Sequence, residues 1–167
     1  MDRFKMPSFS LLLCASMHLG ARSSNSIVSI GGECMSYQQT AAKWLEYTQL
    51  EAEWKDQLSI IVQDDKRLED AFYKDLEFGT GGMRGEIGVG TNRMNTYTVR
   101  KASQGVADYV KAAGTEAMKK GIVIAYDSRR KSPEFAQEAA STFAKNGIQV
   151  FVYGEPRTTP QLSFSVR

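Results

Sequence analysis

A chain of 167 residues, 42% hydrophobic and 24% charged, has enough apolar material for one packed domain, and its composition excludes wholesale disorder. A net charge of +2 gives no basis for a nucleic-acid stripe or a membrane-surface patch. Both cysteines, Cys14 and Cys34, and the one histidine, His18, fall in the first 34 residues. From Met35 to Arg167 this excludes zinc sites built on Cys or His, thiol nucleophiles, and Ser-His-Asp or Cys-His catalysis. What remains is Arg, Lys, Asp, Glu, Ser, Thr, Tyr and backbone amides, an inventory suited to phosphate.

Residues 1–34 have a texture of their own. A charged start followed by the apolar patch Phe9 to Ala15 sits at the edge of what a secretory signal requires. Asp2, His18 and the bulky Leu13 before Cys14 argue against that reading. No stretch approaches the roughly 20 apolar residues of a membrane span. Gly31-Gly32-Glu33-Cys34-Met35 can be encoded by a purine-rich run of the ribosome-binding type followed by ATG. Residues 1–34 are therefore read as a disordered, non-native leader, with Met35 as the natural start. Residues 35–167 are the body, divided into a helical extension (36–77) and an α/β part (78–167).

In the body, Ser36 is an N-cap, and Tyr37, Trp44, Tyr47, Leu50, Trp54 and Leu58 recur near helical spacing. A short helix is expected over Leu68 to Leu76. Phe78 to Gly90 then holds six glycines in thirteen residues, a loop running into a short extended segment. Thr96 starts a helix through about Ala113. Ile122 to Tyr126 reads as a strand buried on both faces. Asp127 to Lys131 is a turn, Ser132 the next N-cap, and Pro133 the first helical residue. Phe135, Ala136, Ala139, Ala140, Phe143 and Ala144 make an apolar stripe, stopped at Asn146-Gly147. Ile148 to Tyr153 is a second strand. A strand-helix-strand unit over 122–153 predicts an α/β layer fold. A last helix is expected from Leu162.

Two places could carry chemistry. Glycines let backbone amides share a concavity, and Arg84, between Gly82 and Gly85, offers a forked donor for a phosphate. The segment lacks the Gly-Lys-Ser/Thr of a Walker loop and the spacing of a dinucleotide fingerprint. Local sequence leaves anion binding and a plain glycine-rich turn both open. Asp127 to Lys131 lies at the carboxyl end of a predicted strand and at a helix start, where open α/β sheets bind ligands. A solvated basic turn, with Asp127 bonding loop amides, is the alternative.

Taken together, Phe78-Gly79-Thr80-Gly81-Gly82-Met83-Arg84-Gly85, Tyr126-Asp127-Ser128-Arg129, Ser132-Pro133-Glu134-Phe135 and Thr159-Pro160 resemble the α-D-phosphohexomutases. Phe72 to Glu77 and Thr91-Asn92-Arg93-Met94-Asn95 are similar to the long phosphoglucomutase/phosphomannomutase branch of that family. Thr158 stands where the family usually has proline. The resemblance covers about Tyr37 to Arg167. It implies domain I of a phosphohexomutase, a three-layer mixed-sheet α/β domain incomplete at its C-terminal end, with an open, aggregation-prone sheet edge.

The implied activity is reversible phosphate transfer between the 1- and 6-positions of a hexose, with glucose favoured by the branch. It proceeds through a phosphoserine and a glucose 1,6-bisphosphate intermediate, with Mg2+ as cofactor, in a cytoplasmic enzyme. The resemblance implies that Arg84, Thr80, Gly81 and Gly82 line the phosphate-binding cleft and that Asp127 and Arg129 brace it. The nucleophilic serine is expected beyond Arg167, and so are the three metal-binding aspartates. Partners are the hexose phosphate and the remaining domains of the same enzyme, with no nucleic acid and no membrane, and the fragment alone is expected to be inactive. A non-catalytic phosphosugar- or nucleotide-binding module is the alternative, and residues 1–34 permit a secreted or anchored protein as a third reading.

Overall fold

The computed structural model describes residues 9–11, 13–15, 36–79 and 82–166. Two short strands, β1 (Phe9–Leu11) and β2 (Leu13–Ala15), come first. They lie in the segment read as a leader, and the expectation of disorder there otherwise falls outside the described residues. Helices α1 (Tyr37–Glu46), α2 (Ala52–Ile61) and α3 (Asp65–Phe72) follow. Ser36 caps α1 as expected: its side chain accepts from Gln39 N, and the Gln39 side chain accepts from Ser36 N.

The periodicity from Tyr37 to Leu58 predicts one helix, and the structure has two. The chain is extended at Tyr47 (ψ 105°). The Tyr97 hydroxyl takes over the freed backbone groups, accepting from Glu51 N at 3.0 Å and donating to Gln49 O at 3.2 Å. Leu50, Trp54, Leu58, Leu68, Ala71, Phe72 and Val89 bury together as one core. The helix expected to reach Leu76 ends at Phe72, because Leu76 N donates instead to Thr91 O at 2.8 Å.

Strands β3 (Phe78–Gly79) and β4 (Gly82–Gly85) form an antiparallel pair, and β1 lies on the other side of β4. Helix α4 (Thr96–Ala112) follows closely on expectation; the short α5 (Thr115–Lys120), between Gly114 and Gly121, carried no apolar signal. Strand β5 (Ile122–Ile124), helix α6 (Ser132–Lys145) and strand β6 (Val150–Val152) form the predicted unit, with β5 and β6 parallel. β2 pairs antiparallel with β5, so this sheet is mixed, in the order β2-β5-β6.

Alternate β5 residues face opposite ways. Ile122 and Ile124 are buried with Val99, Ala107 and Val110 of α4 and Phe135, Ala139 and Phe143 of α6. Val123 instead lines a surface with Ser165 and Val166, at the end of α7 (Thr159–Ser165). Helices thus lie on both faces of an α/β layer. α7 begins three residues before the expected Leu162, because Thr158 N–H donates to Gln161 Oε1 at 3.1 Å and Pro160 sits in the first turn. Phe151 and Val152 of β6 are exposed.

Candidate functional site

The glycine-rich segment is anchored by alternation along β4. Met83 is 2% exposed and belongs to the sheet core, whereas Arg84 is exposed. Gly82 has a φ of +100°, a left-handed conformation that a side chain would strain. Thr80 and Gly81, which join β3 to β4, lie outside the described residues, and so do the roles expected of them. Among the described residues no side chain pairs with the Arg84 guanidinium. Three other arginine and lysine side chains of the chain do have carboxylate partners: Arg93 on Asp70, Arg100 on Glu138 at 2.6 Å, Lys101 on Asp75 at 2.6 Å.

The far end of the segment is held by a residue whose role the sequence reading missed. Asn95 is completely buried. Its side-chain amide donates to Gly88 O at 2.8 Å and Gly90 O at 2.9 Å, while its Oδ1 accepts from Thr98 N at 2.9 Å. Thr98 Oγ1 in turn accepts from Asn95 N and donates to Arg93 O. One asparagine therefore closes the glycine loop and caps α4. The Asn95-x-x-Thr98 spacing was the available signal. Gly90 has a φ of +126°, and a β-carbon there would sit 2.4 Å from Ala71 O.

In the turn after β5, Asp127 is bonded within the turn itself. Asp127 accepts from Arg129 N at 3.1 Å and from Arg129 Nε at 2.6 Å, and its own N–H donates to Ser132 Oγ at 3.2 Å. Partial burial acts to raise the Asp127 carboxyl, but the hydrogen bonds from Arg129 and Ser132 outweigh it and hold the group below its usual value. Ser132, expected as the N-cap, is instead the first helical residue, because its hydroxyl is occupied by Asp127 N–H. Lys131 takes the cap position at φ +64°. Its ammonium bonds Glu53 Oε2 at 2.9 Å and lies 5.8 Å from the Trp54 ring centroid. Arg130 reaches Glu53 at 3.9 Å.

Asp127 and Arg129 are thus brought together, and Gly82 and Arg84 share β4. An apolar groove of about 560 Å³ lies on the Met83 side, lined by Leu76, Met83, Ala102, Val106 and Tyr109. The charged side chains on its wall, Asp75 and Lys101, neutralise each other, so it offers no anion site. Among the described residues no group of three or more His, Cys, Asp or Glu could hold a metal ion, so the implied Mg2+ has no ligand set there. No helix among them is long and apolar enough to cross a membrane.

Residues 75–167 match the family model described as phosphoglucomutase/phosphomannomutase, alpha/beta/alpha domain I. The chain is 45% identical to a phosphoglucomutase of Staphylococcus epidermidis over 92 residues, 55% of this chain and 16% of that protein. It is 37% identical to a phosphoglucomutase of Staphylococcus haemolyticus over 126 residues, 74% of this chain and 22% of that protein. A probable phosphoribomutase of Schizosaccharomyces pombe is 34% identical over 131 residues, 78% of this chain and 22% of that protein. No solved structure matches. The aligned part of the chain spans between 16% and 22% of the length of these curated relatives. The matched model covers the β4 arginine segment, the β5–α6–β6 unit and the basic turn, and the chain belongs to the phosphoglucomutase/phosphomannomutase family.

Proposed function

We propose that this chain is the amino-terminal part of a phosphosugar mutase that interconverts glucose 1-phosphate and glucose 6-phosphate. Its role there is to present the Arg84 guanidinium, with Gly82, Gly81 and Thr80, to a phosphate of the substrate or of a glucose 1,6-bisphosphate intermediate. The observation that carries this reading is the state of Arg84: exposed on a strand anchored by Met83, in a glycine-rich segment, and without an ion-pair partner among the described residues. A planar guanidinium with its donors uncommitted can take two phosphate oxygens at once. Asp127 and Arg129, bonded to each other, brace the cleft rather than bind substrate.

In this reading the nucleophilic serine and the side chains that hold Mg2+ belong to sequence outside these 167 residues. The chain alone is then inactive, and the enzyme is cytoplasmic. Bound Mg2+ would neutralise phosphate charge during transfer. Glucose is preferred on the names of the staphylococcal relatives.

The test is a steady-state assay of the full-length protein with glucose 1-phosphate and, separately, ribose 1-phosphate, followed by release of the 6- or 5-phosphate. Arg84→Ala should lower turnover about a hundredfold or more, by analogy with loss of one preorganised donor, with an unchanged circular dichroism spectrum. Near-normal turnover would remove Arg84 from the cleft. A clear preference for ribose 1-phosphate would replace the hexose with a pentose.

A further inference from the structure

The Lys131–Glu53 ion pair joins residues 78 positions apart and connects two parts of the molecule that have separate cores. On one side is α2, whose Trp54 is 1% exposed at the centre of the helical extension. On the other is the turn at the carboxyl end of β5. Lys131 is, among the described residues, the one non-glycine with a positive φ, +64°. A lysine stays in that region only where its surroundings hold it.

The hold is visible. The Lys131 side chain is 25% exposed, its ammonium is 2.9 Å from Glu53 Oε2, and it lies over the Trp54 ring. The same Glu53 carboxylate faces Arg130. Immediately before Lys131 the backbone folds back on itself: Ser132 N donates to Arg129 O at 3.1 Å, Arg129 N to Asp127 Oδ1, and Asp127 N to Ser132 Oγ. The φ of Lys131 therefore sets the direction in which the Asp127–Arg129 loop leaves α6.

We infer that Glu53 is a positioning residue. Through Lys131 it locks the left-handed residue that fixes the Asp127–Arg129 pair at the carboxyl end of β5, so the helical extension supports the cleft. This rests on the reading above, in which that pair braces a phosphosugar site. The contact spans α2 and the turn, and no local sequence signal contains it.

The test uses the full-length protein with Glu53→Gln and the double variant Glu53→Gln/Lys131→Gly, read by amide hydrogen exchange and by kinetics. Glu53→Gln should speed exchange of the Asp127 and Arg129 amides about tenfold, while amides of α4 such as Ala107 and Val110 keep their rates. It should lower kcat about tenfold with KM changed less than about twofold, as expected when groups around a reacting centre lose their placement. Glycine holds a positive φ unaided, so the double variant should return turn protection to within about threefold of wild type. Wild-type exchange at Asp127 and Arg129 in Glu53→Gln would overturn the inference. So would equal acceleration across α4, or a double variant no better protected than the single one. If the wild-type protein shows no mutase activity, the functional reading fails, while the exchange arm still decides whether Glu53 positions the turn.

Discussion

The glycine-rich segment and the β5–α6 turn look alike in sequence, each a cationic joint where a phosphate could sit, yet the structure treats their cations in opposite ways. Arg84 has no side-chain partner among the described residues and is exposed. In the turn, Arg129 is bonded to Asp127 and Lys131 to Glu53, and Arg130 reaches the same Glu53 carboxylate only at 3.9 Å. The denser cluster is the more spent one. What makes a cation available to a ligand is the charge left over after the protein's own carboxylates have been served, not the number of basic residues in a window. One arginine among glycines can therefore be the better anion donor than three cations at a helix start.

Substitutions that break the frame of either region should sharpen this contrast. The largest effect is expected from Gly90→Ala, which would drive a β-carbon into Ala71 O at a φ of +126°. The combined strain and overpacking should cost about 3 kcal/mol or more in chemical denaturation of the full-length protein. Asn95→Ala should follow, at about 2–4 kcal/mol, because it removes the α4 cap and leaves the Gly88 and Gly90 carbonyls without their donor.

The turn should respond to pH instead. Asp127 has its carboxyl held below the unfolded value, so it stabilises the fold above about pH 4 and loses that contribution as pH falls through its folded pKa. The stability difference between wild type and Asp127→Asn should be constant above about pH 5 and shrink on further acidification. A difference that grows toward acid would contradict the bonding seen in the turn. Arg130→Ala should be the smallest effect, within about 0.5 kcal/mol, since the Glu53 contact is 3.9 Å and Arg130 is largely exposed.

Local patterns foretold the parts of the fold that local forces decide. The β5–α6–β6 unit was legible because Ile122 to Tyr126 is continuously apolar, the α6 stripe is regular, and Gly147 (φ +74°) ends the helix. The bounds of α4 were legible for similar reasons. The α1/α2 break was not, because it depends on the Tyr97 hydroxyl bonding backbone groups 46 and 48 residues away. The displacement of the α6 cap from Ser132 to Lys131 turns on the Asp127 N–H taking the Ser132 hydroxyl, a turn geometry that the residue types alone do not fix, and Glu53 then holds Lys131 from a distant helix. In the candidate site, Arg84 stood out by its glycine neighbours and Asp127–Arg129 by their place after a strand. Asn95 lies in a family-like stretch, and its capping pattern with Thr98 is a local signal that the sequence carries in full.

The contrast between the two regions comes down to which arginine meets phosphate. Titrating the full-length protein with glucose 1,6-bisphosphate, and repeating this for Arg84→Ala and Arg130→Ala, measures it directly. Arg84→Ala should weaken binding about tenfold or more, the loss of a charge-assisted bidentate contact, while Arg130→Ala should change it by less than about twofold. Equal losses for the two variants, or a larger loss for Arg130→Ala, would contradict the account.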